Sequence, residues 1–339
     1  MTLVREKRQK QSLRVTVPSI SQANSWQRLQ SSPPSSSSSS SSPGIDNLAN
    51  FEKLAVLGHG NGGTVYKVCH RPTNVIYALK VLRFMEEPEM VQQRAFSEVE
   101  ILRRVDSGFV VMCHGVFENG FSGADGIEDI CFLLEYMEGG SLHDLLRKHP
   151  MLSENAISGI ARSVLEGLHY LHSMQIVHSD IKPSNLLINR KGEVKIADFG
   201  VSRCIAGVDK EQCPSYMGTC AYMSPERIDP DRWDGVHSDG FAGDVWSLGV
   251  VVMECFVGHF PLIKPEEKPD WINLMCAICF EEKREMPETA SAEIQSFVMR
   301  CLQRDWKIRG TVEELLVHPF VTKFEESAAE HLFYYASVM

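Results

Sequence analysis

The alternation of apolar and polar residues changes character at Asn50. Residues 51–57, 64–69 and 75–82 are rich in β-branched and aromatic side chains and predict three strands, with a glycine-rich turn over 58–63 between the first two. Pro88 suits the first turn of a helix, which Phe96, Val99 and Leu102 continue at helical spacing. Two more strands are predicted at 110–117 and 130–135, joined by a polar, glycine-containing loop. After Gly139-Gly140 the period becomes helical: Leu142, Leu145 and Leu146, then Ile157, Ile160, Val164, Leu165 and Leu168. The pattern predicts an α+β chain in two lobes, the first β-rich with one main helix and the second mainly helical. No internal repeat interrupts it.

The first 46 residues do not follow this pattern. Eight consecutive serines, Ser35 to Ser42, stand between Pro33-Pro34 and Pro43. Such a segment buries too little apolar surface to offset its ordering entropy, so residues 1–46 are expected to be disordered when free. Charge is divided in the same way. Residues 1–50 hold six Lys/Arg against two Asp/Glu, so a chain of net charge −10 consists of a basic tail, about +4, on an acidic body, about −14. An acidic body argues against nucleic acid as a partner. No apolar run approaches the roughly 20 residues needed to span a bilayer, and no apolar stretch follows the basic N-terminus as in a signal peptide. The ten cysteines show no paired spacing, which fits a reducing compartment. Cys276 and Cys279 form the only C-x-x-C and read as core-facing or half-buried helix thiols.

Chemistry enters with the glycines. Gly58-His59-Gly60-Asn61-Gly62-Gly63-Thr64-Val65 fits G-x-G-x-x-G-x-V. A dinucleotide fold also uses this pattern, but there it leads from strand into helix, whereas here β-branched residues follow and strand leads into strand. Lys80 lies fifteen residues beyond Val65, after Ala78-Leu79, on a predicted strand. A buried-strand lysine can hold phosphates if a carboxylate fixes it; Glu98 and Glu100 on the next helix both compete for that role. His178-Ser179-Asp180-Ile181-Lys182-Pro183-Ser184-Asn185 is one residue short of H-R-D-x-x-x-x-N, and Asp198-Phe199-Gly200 begins thirteen residues after Asn185.

In this order and spacing the motifs resemble those of the protein kinases. The resemblance implies the bilobal kinase fold over 51–321, with an N-lobe at 51–134, a hinge at 135–139 and a C-lobe at 140–321, followed by a short extension, 322–339. It implies ATP and Mg²⁺. The loop from Leu57 through Val65 would cover the phosphates, and Lys80, fixed by Glu98, would hold them. Val65, Ala78 and Leu187 would line the adenine pocket, with the hinge backbone near Glu135 and Met137 reading the base and Leu134 behind it. Asp180 would orient the acceptor hydroxyl, and Lys182 would stabilise the transferred group. Asn185 and Asp198 would hold the metal. Ser224-Pro225-Glu226 stands where A-P-E ends an activation segment, with Glu226 expected to pair with Arg309. Asp244, at the start of a long apolar helix, is expected to brace the catalytic loop.

Longer strings narrow the likeness. Val177 through Leu187, Val194 through Ser202, and Gly218-Thr219-Cys220-Ala221-Tyr222-Met223-Ser224-Pro225-Glu226-Arg227 look like a MAP kinase kinase, most like the short plant members. In that family Lys7-Arg8 followed by Leu13-x-Val15-x-Val17 would be a docking motif for a MAP kinase, the substrate, whose T-x-Y loop would be phosphorylated on both Thr and Tyr. An upstream MAP kinase kinase kinase is then a second partner. A monomer is expected, in the cytoplasm, with the nucleus as a second location. Two rival readings are a docking scaffold without catalysis and a kinase with unrelated substrates.

The chain departs from the family at two places. Ser179 stands where the family has an arginine that pairs with activation-segment phosphate; a serine offers no charge there. At the first phosphorylation position stands Asp209 or, at the shorter spacing of animal relatives, Glu211, while Ser215 matches the second. Acidic residues mimic phosphate in part. Activity less dependent on loop phosphorylation is expected, with a poorly ordered, slow enzyme as the alternative.

Overall fold

The computed structural model describes residues 47–60, 63–83, 89–118, 129–204, 220–263, 270–280, 285–323, 332 and 335. The N-terminal tail with its basic and serine segments, Asn61, Gly62, Pro88, the 119–128 loop, Asp209, Glu211, Ser215 and Thr219 lie outside them.

Five antiparallel strands form the first lobe: β1 (Phe51–Gly60), β2 (Gly63–His70), β3 (Val75–Arg83), β4 (Cys113–Glu118) and β5 (Asp129–Glu135), in the order β1-β2-β3-β5-β4. The two-residue period of β3 sends Leu79 and Val81 into a small core with Phe51, Val68 and Leu133. Ala78, Lys80 and Leu82 therefore take the other face, towards helix α1 (Glu89–Arg104). Leu82 there packs in one core with Val99, Ile101 and Leu102 of that helix and with Phe132 of β5. The glycine segment differs from expectation. Gly58 and His59 pair with Val65 and Thr64 inside the ladder, and Gly60 with Gly63, so the strands extend almost to the tip. Gly63 has φ of +117°, and a Cβ there would stand 2.1 Å from the Val81 carbonyl oxygen, so only glycine lets β2 and β3 approach this closely. The predicted strand at 110 begins only at Cys113; Val110 instead bridges to Ile196 of the second lobe.

Beyond the connection at Glu135 to Gly140, helix α2 (Leu142–Lys148) opens on a capping box between Ser141 and Asp144. Helix α3 (Glu154–Ser173), capped by Ser153, buries Ile157, Ile160, Val164, Leu165, Leu168 and Leu171 completely, the 3.6-residue stripe read in the sequence. It packs against helix α4 (Phe241–Val257), which is buried on nearly every side. Between these helices and the first lobe run β6 (Ile176–Val177), β7 (Leu186–Ile188), β8 (Val194–Ile196) and β9 (Arg203–Cys204). Cys276 is partly and Cys279 fully buried on helix α5 (Trp271–Cys279), and both are free thiols. Residues past 321 contribute to the core as well: Leu332 is 3% exposed, and Tyr335 meets the His149 ring edge to face at 5.3 Å.

Candidate active site

Three charged side chains converge between the lobes. Lys80 Nζ donates to Glu98 Oε1 at 2.6 Å and to Asp198 Oδ1 at 2.7 Å. Strand β3 delivers the lysine and helix α1 the glutamate. Of the two acidic candidates the structure brings Glu98 to the lysine; Glu100 faces solvent, 3.9 Å from Arg104. Burial works to lower the Lys80 pKa, but the Asp198 and Glu98 carboxylates outweigh it and hold the ammonium well above its usual range. For Asp198 burial acts upward and the adjacent ammonium prevails, keeping the carboxylate ionised. The side chain of Asp198 remains 48% exposed. Its backbone takes φ of 66°; Phe199, which follows, is buried, and its ring packs against His178 at 5.2 Å.

A second cluster forms on the turn after β6. Asp180 Oδ2 accepts from Lys182 Nζ at 2.7 Å and from Asn185 Nδ2 at 2.9 Å. Asn185 Nδ2 also donates to the Asp180 carbonyl, and the 3-10 turn Pro183–Asn185 fixes its place. His178, fully buried, bridges the two clusters. Its Nδ1 accepts the Asp180 N–H at 3.3 Å and its Nε2 lies 3.1 Å from the Ala197 oxygen, so one neutral tautomer, protonated at Nε2, satisfies both contacts. The Ala197 N–H donates to the Asn185 oxygen at 2.8 Å, which ties the chain leading into Asp198 to the turn carrying Asp180.

Beneath this lies the brace expected from the sequence. Asp244 Oδ2 accepts the backbone N–H of His178 at 2.9 Å and Oδ1 that of Ser179 at 2.7 Å, and His172 Nε2 stands 3.0 Å from the same Oδ2. Glu226 and Arg309, both buried, form two parallel bonds of 2.8 Å.

The pocket candidates divide. Ala78 is buried opposite Leu134 on β5; Val65 and Leu187 are partly buried, and Leu57 is 46% exposed. His59 is exposed and its ring meets the Thr64 hydroxyl. Glu135 turns its carboxylate to Lys195, 2.8 Å away, and its N–H to the Met112 oxygen, so neither its side chain nor its N–H is left to a ligand. Met137 is buried, and its carbonyl accepts the Gly140 N–H. Motif reading missed the Lys195 partner of Glu135, the His172 partner of Asp244, and Arg227, whose Nη1 donates to the Ser179 carbonyl at 2.6 Å. Each depends on tertiary proximity that no local pattern carries.

The oxygens suit a hard cation. Asp198 keeps one carboxylate oxygen clear of Lys80, and Asn185 spends its amide nitrogen on Asp180, leaving its oxygen. Two such oxygens, completed by phosphate, are what Mg²⁺ takes. Among the described residues no group of three or more His, Cys, Asp or Glu could hold a metal alone, and no helix is long and apolar enough to cross a membrane.

A strand lysine shared by two carboxylates, facing an Asp-Lys-Asn turn, defines a phosphotransferase centre. The chain belongs to the protein kinase family: the family model described as "Protein kinase domain" matches residues 51–321. Within it the chain is similar to mitogen-activated protein kinase kinase 10 of Arabidopsis thaliana, 51% identical over 95% of this chain and 99% of that protein. Mitogen-activated protein kinase kinases 9 and 7 of the same plant are each 47% identical, again over 95% of this chain and 99% of theirs. It is therefore a MAP kinase kinase of the plant type.

Proposed function

We propose that this protein is a dual-specificity kinase that transfers the γ-phosphoryl group of ATP to both the Thr and the Tyr of the T-x-Y loop of a MAP kinase. An upstream MAP kinase kinase kinase regulates it, and its dependence on its own loop phosphorylation is weakened. The observation that carries the reading is the assembled state of the site: Lys80 is bound by Glu98 and Asp198 at once. The names of its relatives supply the substrate class.

Lys80 orients the α- and β-phosphates. Asp180 accepts the proton of the acceptor hydroxyl as that oxygen bonds to the γ-phosphorus and the bond from phosphorus to the ADP oxygen breaks. Lys182, already at the Asp180 carboxylate, compensates charge on the moving group. Asn185 and Asp198 would hold Mg²⁺, which when bound neutralises phosphate charge. The basic tail, through Lys7, Arg8, Leu13, Val15 and Val17, docks the MAP kinase, and the protein acts as a monomer in the cytoplasm and nucleus.

The test maps phosphate on catalytically inactive MAP kinases after incubation with ATP and Mg²⁺. Phosphate on both Thr and Tyr supports the reading; phosphate on one alone, or on neither while casein is phosphorylated, removes it. Deleting residues 1–17 is expected to lower efficiency on the MAP kinase and leave casein unaffected.

A further inference from the structure

Ser179 has a left-handed backbone, φ 68°, a conformation that costs a non-glycine residue energy and persists only where surroundings hold it. Its N–H is held by Asp244 Oδ1 at 2.7 Å. Its carbonyl belongs to the peptide plane that leads into Asp180, and that plane is rigid. At the nitrogen end of this plane the Asp180 N–H makes only a long bond, 3.3 Å, to His178 Nδ1. At the oxygen end stands a 2.6 Å, charge-assisted bond from Arg227 Nη1. The stronger grip on the plane that sets the direction of Asp180 therefore comes from Arg227.

Arg227 is well placed to serve as a fixed point. It lies on the short helix Pro225–Ile228, and its neighbour Glu226 is locked by the two bonds to Arg309. Its stem crosses the first turn of the helix that carries Asp244: a Cβ built on Gly243 would lie 3.7 Å from Arg227 Cδ. The carboxylate on one side of Ser179 and the guanidinium on the other thus rise from the same foundation and clamp one residue between them.

We propose that Arg227 is a positioning residue for phosphoryl transfer: through the Ser179 carbonyl it sets the orientation of Asp180 and couples the anchored end of the activation segment to the catalytic loop. This rests on the kinase activity proposed above and deepens it. The clamp uses a protein cation and needs no phosphate.

The experiment uses the full-length, dephosphorylated protein as wild type, Arg227→Met, Arg227→Lys and the double variant Ser179→Gly/Arg227→Met. For each, kcat, the KM for ATP and the melting temperature are measured, with a MAP kinase and with casein as acceptor. Arg227→Met is expected to lose about 10- to 100-fold in kcat, the scale set by a small misplacement of a reacting group, with KM for ATP and melting temperature near wild type. Arg227→Lys is expected to recover part of the loss. So is the double variant, because glycine takes positive φ without strain. An unchanged kcat in Arg227→Met, or a loss that follows the melting temperature and that neither Lys nor Ser179→Gly relieves, overturns the proposal. If wild type phosphorylates casein but no MAP kinase, the substrate reading falls, and the Arg227 comparison is decided on casein.

Discussion

Asp244 accepts the backbone N–H of Ser179 at 2.7 Å across 65 residues of sequence, from a helix whose apolar surface is buried nearly all round. The carboxylate is itself almost fully buried, and the two backbone N–H donors of His178 and Ser179 offset the cost of that burial. Burial pushes its pKa up, but His172 and the His178 N–H outweigh burial and hold it below the usual carboxylate range.

The pH consequence follows from that sign. A depressed folded-state pKa means that Asp244 contributes stability above the unfolded-chain value of about 3.9, and that this stability is lost as pH falls through the folded value. Wild type is therefore expected to lose stability steeply below about pH 4, and Asp244→Asn to show a shallower acid limb from a lower plateau. Denaturant melts between pH 3 and 7 read both slopes; parallel curves contradict this.

Lys80→Met removes the cation that joins Glu98 to Asp198. Phosphoryl transfer is expected to fall by at least about 10²- to 10³-fold, the scale of a lost electrostatic contact to a reacting group. Glu98→Gln keeps the hydrogen bond and loses the charge, so a smaller fall is expected, seen mainly as a raised KM for ATP. Steady-state kinetics of both variants, beside circular dichroism to confirm folding, check the order.

The Glu226–Arg309 pair is closed from water, with side chains 1% and 0% exposed. Removing one partner strands a buried charge, so Arg309→Met is expected to cost about 3–5 kcal/mol. The double variant Glu226→Leu/Arg309→Met strands none and is expected to be more stable than the single. Urea melts of the three proteins measure the difference; equal stability of single and double variants would show that the pair does not act as a unit.

Gly63→Ala places a methyl group against the Val81 carbonyl at a positive φ. Strands β2 and β3 must part at this end. A loss of about 1–3 kcal/mol, the usual cost of a strained backbone, is expected together with a raised KM for ATP. Unchanged nucleotide affinity by isothermal titration would argue against a phosphate-covering role for this loop.

The sequence made the chemistry legible because motif residues are fixed by what phosphate transfer needs: Lys80, Asp180, Asn185 and Asp198 stand at spacings that the strand, turn and loop between them dictate. Helix α3 was legible for the same kind of reason, a one-sided apolar stripe. Choices between near neighbours were not. Glu98 and Glu100 differ only in which way the helix faces, and the packing of Val99, Ile101 and Leu102 against the sheet decides that. Nor was the extent of the glycine turn, which depends on strand register rather than on composition. Tyr335 looked like part of a trailing extension because its partner His149 lies nearly two hundred residues earlier.

The proposed weakening of dependence on loop phosphorylation gives a separate expectation for Ser215. In the dephosphorylated protein, Ser215→Ala is expected to leave kcat at the wild-type level, and an upstream kinase to raise wild-type activity only modestly. Strong activation that disappears in Ser215→Ala contradicts it. Rates before and after treatment with an upstream kinase decide the point.

The most direct measurement of the central claim is phosphate transfer from ATP by the purified, dephosphorylated protein to a catalytically inactive MAP kinase, beside Asp180→Asn. Thr and Tyr phosphorylation of the T-x-Y loop by wild type, lost in Asp180→Asn, is the predicted result. Equal phosphate incorporation with both proteins, or none with wild type even after an upstream kinase is added, would contradict an enzyme whose assembled Lys80, Asp180 and Asp198 perform the transfer.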